Sequence, residues 1–274
     1  MWRSLIRSLL VLVVVSSAAA GCSGASPSAL PSPAAARALA VAPDFAGTLW
    51  EATGGRAYRS QDGGHTWQYV RHSTDDAGVA FATKYAYLVG TDRSQIGDFG
   101  GLQTAPFRLT PATFISVTSP YQKTDRFYAL DKDGRLWVSV KAGKVWTRLR
   151  AAGLPRTGVT VAAVRDLVTA PDILYVAAGQ DGLWRSLDDG ASFHKVPGVS
   201  DVVTVALTTD DQDRVLVAGP GGIWLSNDRG KTFSHVSSRP VSALALDPRN
   251  ARLAYASSGR ELLRSVDGGA TWPD

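Results

Sequence analysis

The chain has 274 residues, 45% of them hydrophobic and 19% charged, and its formal net charge is +5. Positive and negative residues alternate along the chain and form no basic stripe, so the sequence predicts no nucleic-acid partner. A single cysteine, Cys22, leaves no means of stabilising a domain by internal disulfides.

The N-terminal segment has the order of charge and hydropathy of a secretory signal peptide. Arg3 and Arg7 precede an apolar run at residues 9–15, and small residues follow up to Gly21. The apolar run is shorter than the roughly 20 residues that a membrane-spanning helix needs. Residues 1–21 are therefore predicted to be a signal peptide.

The residues Ala19-Ala20-Gly21-Cys22 resemble the bacterial lipobox. The resemblance implies that Cys22 is acylated and becomes the first residue of an extracytoplasmic protein anchored to the bacterial cell membrane. The alternative is an ordinary signal peptide, a secreted product and a free thiol. Residues 22–36 consist almost wholly of Ser, Ala, Pro and Gly and are predicted to be a flexible linker. Residues 37–274 have the length of one domain.

A short pattern recurs along that domain: Ser-x-Asp-x-Gly-x-Thr/Ser followed by Trp or Phe. We call its copies the repeat turns. The complete copies begin at Ser60, Ser186, Ser226 and Ser265 and carry Asp62, Asp188, Asp228 and Asp267. A further copy runs from Ser139 to Trp146, with Lys141 in place of the aspartate. Each aspartate is predicted to be structural, because its carboxylate can accept N–H groups of its own turn.

The spacing of the repeat turns predicts the fold. They recur about every 40 residues, and short apolar runs separated by turn residues precede each one. The longer gap between Ser60 and Ser139 holds one more repeat, with an eroded turn at residues 96–100. The sequence therefore predicts an all-β, six-bladed β-propeller with four strands in each blade. The last repeat ends at Trp272 and lacks its outermost strand, unless the stretch before Arg37 supplies one.

The repeat turns resemble the Asp-box, or BNR repeat, of sialidases and of many unrelated propellers. The sialidase resemblance implies glycoside hydrolysis by an arginine cluster, an acidic Asp, and a Tyr nucleophile activated by Glu. Residues 107–111, Phe-Arg-Leu-Thr-Pro, differ from the Phe-Arg-Ile-Pro motif of that family, and the glutamates Glu51 and Glu261 fall in predicted strands. The sialidase catalytic set therefore does not transfer to this chain. A second resemblance, to the propellers that help assemble photosystem II, implies a non-catalytic scaffold.

Propeller ligands usually bind on the face opposite such turns, where the second strand of each blade turns into the third. The charged residues of those turns are predicted to form a polar binding site near the axis, and the alternative is that they are ordinary solvated loop residues. They are Arg56, Arg93, Asp133, Asp181, Arg260 and Glu261. Asp133 and Asp181 are also the candidates for a two-carboxylate glycosidase, which needs its carboxyl groups roughly 5–10 Å apart.

The remaining chemistry is sparse. The four histidines, His65, His72, His194 and His235, have no metal-ligand spacing, so neither a metal nor a cofactor is expected. We predict a monomeric, non-catalytic binding or scaffolding propeller for a glycan or a cell-envelope protein. The alternatives are a glycoside hydrolase, an assembly factor for a membrane protein complex, and a purely structural envelope protein.

Overall fold

A computed structural model describes most of the chain. It covers residues 26–42, 45–53, 56–72, 76–82, 85–90, 94–98, 110–120, 125–141, 143–165, 171–208 and 211–274. These residues form β-strands joined by turns. Within them, no helix is long and apolar enough to cross a bilayer.

Five sheets have four strands each, and we call them blades I to V. Blade I contains β2 (Ala38–Val41), β3 (Leu49–Thr53), β4 (Arg56–Ser60) and β5 (Gln68–His72). Blade II contains β9 (Phe114–Thr118), β10 (Phe127–Asp131), β11 (Leu136–Ser139) and β12 (Thr147–Arg148). Blade III contains β13 (Thr160–Arg165), β14 (Asp172–Ala177), β15 (Leu183–Ser186) and β16 (His194–Val196). Blade IV contains β17 (Thr204–Leu207), β18 (Val215–Gly219), β19 (Gly222–Ser226) and β20 (Ser234–Ser237). Blade V contains β21 (Ala243–Asp247), β22 (Asn250–Ser258), β23 (Glu261–Ser265) and β1 (Ser28–Pro31).

The prediction of six four-stranded blades is wrong: the described residues form five. The repeat with the eroded turn forms a three-stranded sheet of β6 (Asp76–Ala82), β7 (Tyr85–Gly90) and β8 (Ser94–Asp98). Asp98, which the sequence placed in a turn, ends the last of these strands. That repeat lacks the serine and the aromatic residue of the complete copies, so the pattern that leads into a fourth strand elsewhere is missing.

The innermost strands follow one another around a central axis. β2 neighbours β6 of the three-stranded sheet, and β9, β13, β17 and β21 follow until β21 returns to β2. Buried side chains of adjacent blades interdigitate, as Tyr175 of blade III and Val205 of blade IV do in one core cluster. The hydrophobic core is thus divided among the blade interfaces, where apolar area is removed from water.

The outermost strand of blade V comes from the other end of the chain. β1 pairs antiparallel with β23, so that Ala29 lies opposite Leu263. Leu30 packs against the buried cluster that joins blades V and I. Part of the segment predicted to be a linker, Ser28–Pro31, is therefore a strand. Its Leu adds apolar contact, and its backbone covers an edge of β23 that would otherwise be open.

The glycines of the repeat turns permit close packing between blades. Gly64 and Gly269 have φ of 96° and 89°, which favour glycine. A Cβ on Gly269 would lie 2.7 Å from Leu216 of blade IV, and one on Gly64 would overlap Leu262 of blade V. Each turn therefore rests directly on the preceding blade.

Candidate functional site

A central channel of about 210 Å³ runs along the axis. Small apolar and hydroxyl side chains of the innermost strands line it, with Arg37 at one end and Pro248 at the other. Among the described lining residues there is no Asp, Glu, His or Cys. The described walls of the channel therefore supply no acid–base pair.

The channel hydroxyls are bonded to backbone groups of the neighbouring blade. Thr160 Oγ1 donates to the carbonyl of Val203 at 2.7 Å, and Ser116 Oγ accepts from Val161 N at 3.1 Å. Thr204 Oγ1 likewise accepts the N–H of a residue in β21, at 3.2 Å. These bonds join successive innermost strands, which gives the hydroxyls a structural role in the ring.

The repeat turns are closed by their own carboxylates. Asp62 accepts from Thr66 N at 2.8 Å, from Thr66 Oγ1 at 2.6 Å and from Ser60 Oγ at 2.8 Å. The hydrogen bonds from Thr66, with that from Ser60, lower the pKa of Asp62 to about 2. The same hydrogen bonds recur in the three other complete copies, at Asp188, Asp228 and Asp267. A carboxylate that accepts these hydrogen bonds stabilises its own turn.

The repeat turn of blade II shows what the serine does alone. Ser139 Oγ still accepts from Gly143 N at 3.0 Å, although Lys141 replaces the aspartate. Val140 and Val145 in this turn are 51% and 55% exposed. The serine thus caps the turn without help from a carboxylate.

Five of the six predicted binding residues lie within the described part of the chain, and Arg93, like Cys22, lies outside it. The five lie in the turns between second and third strands, or at the first residue of a third strand, on the face opposite the repeat turns. They are Arg56, Asp133, Asp181, Arg260 and Glu261. None of the five is among the residues that line the channel.

The carboxylates among them bind local partners. Asp133 accepts from Arg135 at 2.5 Å, and Asp181 accepts from Thr157 at 2.5 Å. Glu261 forms an ion pair with a residue of the adjacent loop, Arg239. No described hydrogen bond or ion pair joins two members of the predicted set. The structure therefore places these residues on one face without bringing them together.

The arginines at the junction of blades V and I form a separate group, which we call the seam arginines: Arg37, Arg56 and Arg260. All three are exposed, and no described ion pair includes any of them. Sequence analysis missed Arg37 because it was taken as the boundary of the linker. The sequence feature that could have identified Arg37 is its position as a basic residue directly before the first innermost strand.

The backbone brings Arg37 and Arg56 to the same end of blade I. Arg37 N donates to the carbonyl of Ala52 at 2.9 Å, and Ala52 is the register partner of Ala57. Arg260 lies in the turn between β22 and β23 of blade V, and its carbonyl accepts from Ser32 N at 2.9 Å. Both blades thus present basic side chains beside their shared junction.

One carboxyl group at this junction is fully buried. Glu51 has no exposed surface, and burial raises its pKa to about 7, although a hydrogen bond from Ser32 lowers it in part. Sequence analysis placed Glu51 in a strand and assigned it no role. Its hydrogen-bond partner Ser32 belongs to the N-terminal segment, which composition predicted to be flexible.

On the repeat-turn side, a charged cluster joins blades II and III. Arg126 Nη1 contacts Asp172 at 3.0 Å and Asp189 at 2.8 Å, and Tyr128 Oη donates to Asp172 at 2.8 Å. Burial, followed by the neighbouring Asp172, raises the pKa of Tyr128. A phenol held protonated in this way is a structural donor rather than a nucleophile.

Two comparisons address relationships by sequence. No family model matches the chain. A xyloglucanase from Paenibacillus sp is 28% identical over 165 residues, which cover 53% of this chain and 15% of that protein. The chain therefore spans a small part of that relative's length.

Solved structures show the same architecture. The GH74 xyloglucanase of Xanthomonas campestris matches with a TM-score of 0.65 at 17% identity, over 90% of this chain and 46% of that one. YCF48 from Cyanidioschyzon merolae matches with a TM-score of 0.56 at 17% identity, over 91% and 88%. This chain is a β-propeller. YCF48 bound to D1 peptide also matches this propeller, with a TM-score of 0.53 at 13% identity, over 88% and 95%. At these identities the likeness shows the fold alone.

No group of three or more His, Cys, Asp or Glu residues in the described part of the propeller could hold a metal ion. Its described charged groups are instead distributed over the turns, the charged cluster and the seam arginines.

Proposed function

We propose that this propeller is a non-catalytic binding or scaffolding module for an anionic partner, either an acidic glycan or an acidic segment of an envelope protein. The observation that carries the proposal is the seam arginines. They are three exposed cations on one face of two adjacent blades, and no described ion pair neutralises them.

Guanidinium chemistry supports a carboxylate ligand. An arginine side chain presents a planar fork of donors that matches a carboxylate with two parallel hydrogen bonds. The nearby Arg239 shows the contrast, because it is paired with Glu261 and also binds the carbonyl of Asp274 at 3.0 Å. Arg37, Arg56 and Arg260 are therefore the arginines that a partner's carboxylates would meet at this junction.

Peptide binding by a propeller of this size has a parallel. One of the matching structures is a propeller bound to a peptide, namely YCF48 with D1 peptide. The parallel favours a protein segment as the partner. A role in assembling a membrane protein complex would be one form of such binding.

Glycoside hydrolysis is the second candidate, since the sequence relative is a xyloglucanase. The carboxylates that would perform it are Asp133 and Asp181, and each already binds a local partner. Incubation with xyloglucan tests this candidate. Release of reducing ends by the wild type, abolished in Asp133→Asn or Asp181→Asn, would replace the binding proposal with catalysis.

The binding proposal is tested with polyglutamate and polygalacturonate as probes. Arg56→Ala combined with Arg260→Ala should weaken binding at least about tenfold, because two charge-assisted contacts are lost. The matched control removes two exposed lysines of repeat turns, in Lys144→Ala combined with Lys231→Ala. Equal weakening by both pairs would show non-specific attraction, and unchanged binding in the arginine pair would place the site elsewhere.

We also propose that the protein is extracytoplasmic and held to the bacterial membrane through acylated Cys22. The signal-peptide order of residues 1–21 and the lipobox resemblance support this proposal. Cys22→Ser should release the protein into the medium or block removal of the signal peptide. Mass spectrometry that finds an unmodified Cys22, or a mature terminus elsewhere, would contradict the anchor.

A further inference from the structure

Residues 32–37 connect β1 of blade V to β2 of blade I, and we call them the latch. Its first residue, Ser32, binds the carbonyl of Arg260 in blade V. Near its other end, Ala36 N donates to Ser257 Oγ at 3.1 Å, again in blade V. Arg37 then donates to Ala52 of blade I. The latch therefore holds the two blades together and carries one of the seam arginines.

Glu51 lies beneath the latch. It shares with Leu49 the face of β3 that packs on blade V, where Leu49 and Leu262 belong to one buried cluster. Ser32 Oγ lies 2.8 Å from Glu51 Oε2. Glu51 Oε1 is buried and has no hydrogen-bond partner among the described residues. The only described polar side-chain contact of Glu51 is thus with the latch.

The Ser32 hydroxyl has one proton and two acceptors within reach. These are the carbonyl of Ala34 at 2.5 Å and Glu51 Oε2 at 2.8 Å. If Glu51 is ionised, both acceptors compete for that proton. If Glu51 is protonated, its O–H donates to Ser32 Oγ, and Ser32 donates to Ala34. The neutral carboxyl therefore allows both contacts of the Ser32 hydroxyl to be hydrogen bonds, whereas the ionised carboxylate does not.

The groups that pack around Glu51 provide no compensating charge. Its register partners are Leu39 on β2 and Tyr58 on β4, of which Tyr58 is the titratable one. Blade V contributes Leu262 and the titratable Tyr255, whose pKa is raised by burial, so that its phenol is neutral, while β6 of the three-stranded sheet packs on the other face of blade I. No described ion pair includes Glu51, so ionisation would leave an uncompensated buried charge, which is costly.

The two arginines that contact the latch or belong to it are exposed. The side chains of Arg37 and Arg260 are exposed, and each takes part in the latch through a backbone group. Burial therefore remains the main influence on the pKa of Glu51, which it raises to about 7.

We propose that Glu51 is a proton-controlled fastener of the propeller ring, closed when its carboxyl is neutral and loosened when it ionises. Loosening releases residues 32–37 from blades V and I. The positions of Arg37 and Arg260 then change as well. Proton uptake at Glu51 therefore regulates the seam arginines. The consequence for ligand binding rests on the proposed function, whereas the fastener itself can be tested without a ligand.

The two glutamates of the chain, Glu51 and Glu261, allow a direct titration. Protein labelled with ¹³C at the glutamate carboxyl carbons gives one resonance for each. One resonance should titrate near 7, and it should be absent from Glu51→Gln. A Glu51 resonance that titrates near 4.5, the ordinary value for a glutamate, would overturn the proposal.

Amide hydrogen exchange then tests the latch itself. After correction for intrinsic rates, exchange of residues 28–37 should be roughly tenfold faster at about pH 8 than at about pH 5.5. In Glu51→Gln the difference should vanish, because a neutral amide donates to Ser32 at every pH. Asp213→Asn, an exposed control in blade IV, should keep the wild-type response. A flat wild-type profile, or an unchanged response in Glu51→Gln, would contradict the proposal, and the titration decides the matter if that variant fails to fold.

Binding of polyglutamate separates the two proposals. The wild type should bind it more weakly at about pH 8 than at about pH 5.5, and Glu51→Gln should bind it equally at both. If the latch responds to pH but polyglutamate binds at neither pH, the proposed function fails and the fastener stands. If binding is strong and identical at both pH values in the wild type, Glu51 does not regulate the seam arginines.

Discussion

The interface between blades II and III and the junction between blades V and I connect neighbouring blades in opposite ways. At the first, buried Asp172 is paired with Arg126 and accepts a hydrogen bond from Tyr128. At the second, Glu51 is equally buried but has no cation, and its described partner is a serine of the latch. Asp172 has a cation beside it in the buried interface, whereas burial without a cation raises the pKa of Glu51 to about 7. The comparison teaches that pH sensitivity in this ring arises where the counter-ion is missing.

Removing the cation from the paired interface should have the largest effect on stability. Arg126→Met leaves Asp172 as an uncompensated buried charge and is expected to lower the free energy of unfolding by about 3–5 kcal/mol. Urea denaturation monitored by tryptophan fluorescence measures the change. The double variant Arg126→Met with Asp172→Asn should recover part of the loss. A single-variant cost below about 1 kcal/mol would show that the charged pair contributes little.

Removing the charge from the unpaired carboxyl should have the opposite sign. The folded pKa of Glu51, about 7, lies above the ordinary value of a glutamate, 4.5. The contribution of Glu51 is therefore full below 4.5 and is lost as the pH rises to about 7. Glu51→Gln should stabilise the protein at about pH 8 by up to about 3 kcal/mol, and by little at about pH 4. Denaturation at both pH values measures this, and equal effects at both would remove the contrast between the interfaces.

The repeat turns allow the same comparison within one structural element. Asp188 accepts several hydrogen bonds of its turn, so Asp188→Ala should cost about 1–3 kcal/mol. Lys141→Ala, at the equivalent position of blade II, removes no such acceptor and should cost less than about 0.5 kcal/mol. Thermal denaturation compares the two variants. If their costs are equal, the carboxylate adds nothing to the serine cap.

The seam arginines should contribute least to stability. Arg56→Ala with Arg260→Ala removes exposed side chains and should change the free energy of unfolding by less than about 0.5 kcal/mol. Ligand binding and stability would then be separable at this junction. A larger loss would mean that these arginines hold the blades together rather than bind a partner.

The local sequence was sufficient to predict most of the strands and the repeat turns. The recurring Ser, Asp and Gly of residues 186–193 form hydrogen bonds within their own turn. The sequence pattern alone is therefore sufficient to predict the turn. The number of four-stranded blades was overestimated because one eroded repeat lacks the serine and the aromatic residue of the complete copies. The sequence left open whether the stretch before Arg37 completes the last blade, because Ser28–Pro31 has the composition of a linker, and the edge of β23 that it pairs with lies more than 200 residues away in sequence.

The contacts between blades could not be predicted from the local sequence. Arg126 meets Asp172 and Asp189 across sequence separations of 46 and 63 residues, which no local pattern encodes. Glu51 was correctly placed in a strand, but its contact with Ser32 of the latch joins segments that no local pattern connects. The predicted ring of charged loop residues stays a prediction as a binding site, and the structure adds Arg37 to its basic members.

Arginine labelling with phenylglyoxal, read by mass spectrometry with and without polyglutamate, tests the central claim most directly. The claim is that the junction of blades V and I binds an anionic partner. Polyglutamate should protect Arg37, Arg56 and Arg260 from modification and leave the exposed Arg148 and Arg252 as reactive as before. Protection spread evenly over all five arginines, or confined to Arg148 and Arg252, would contradict the account.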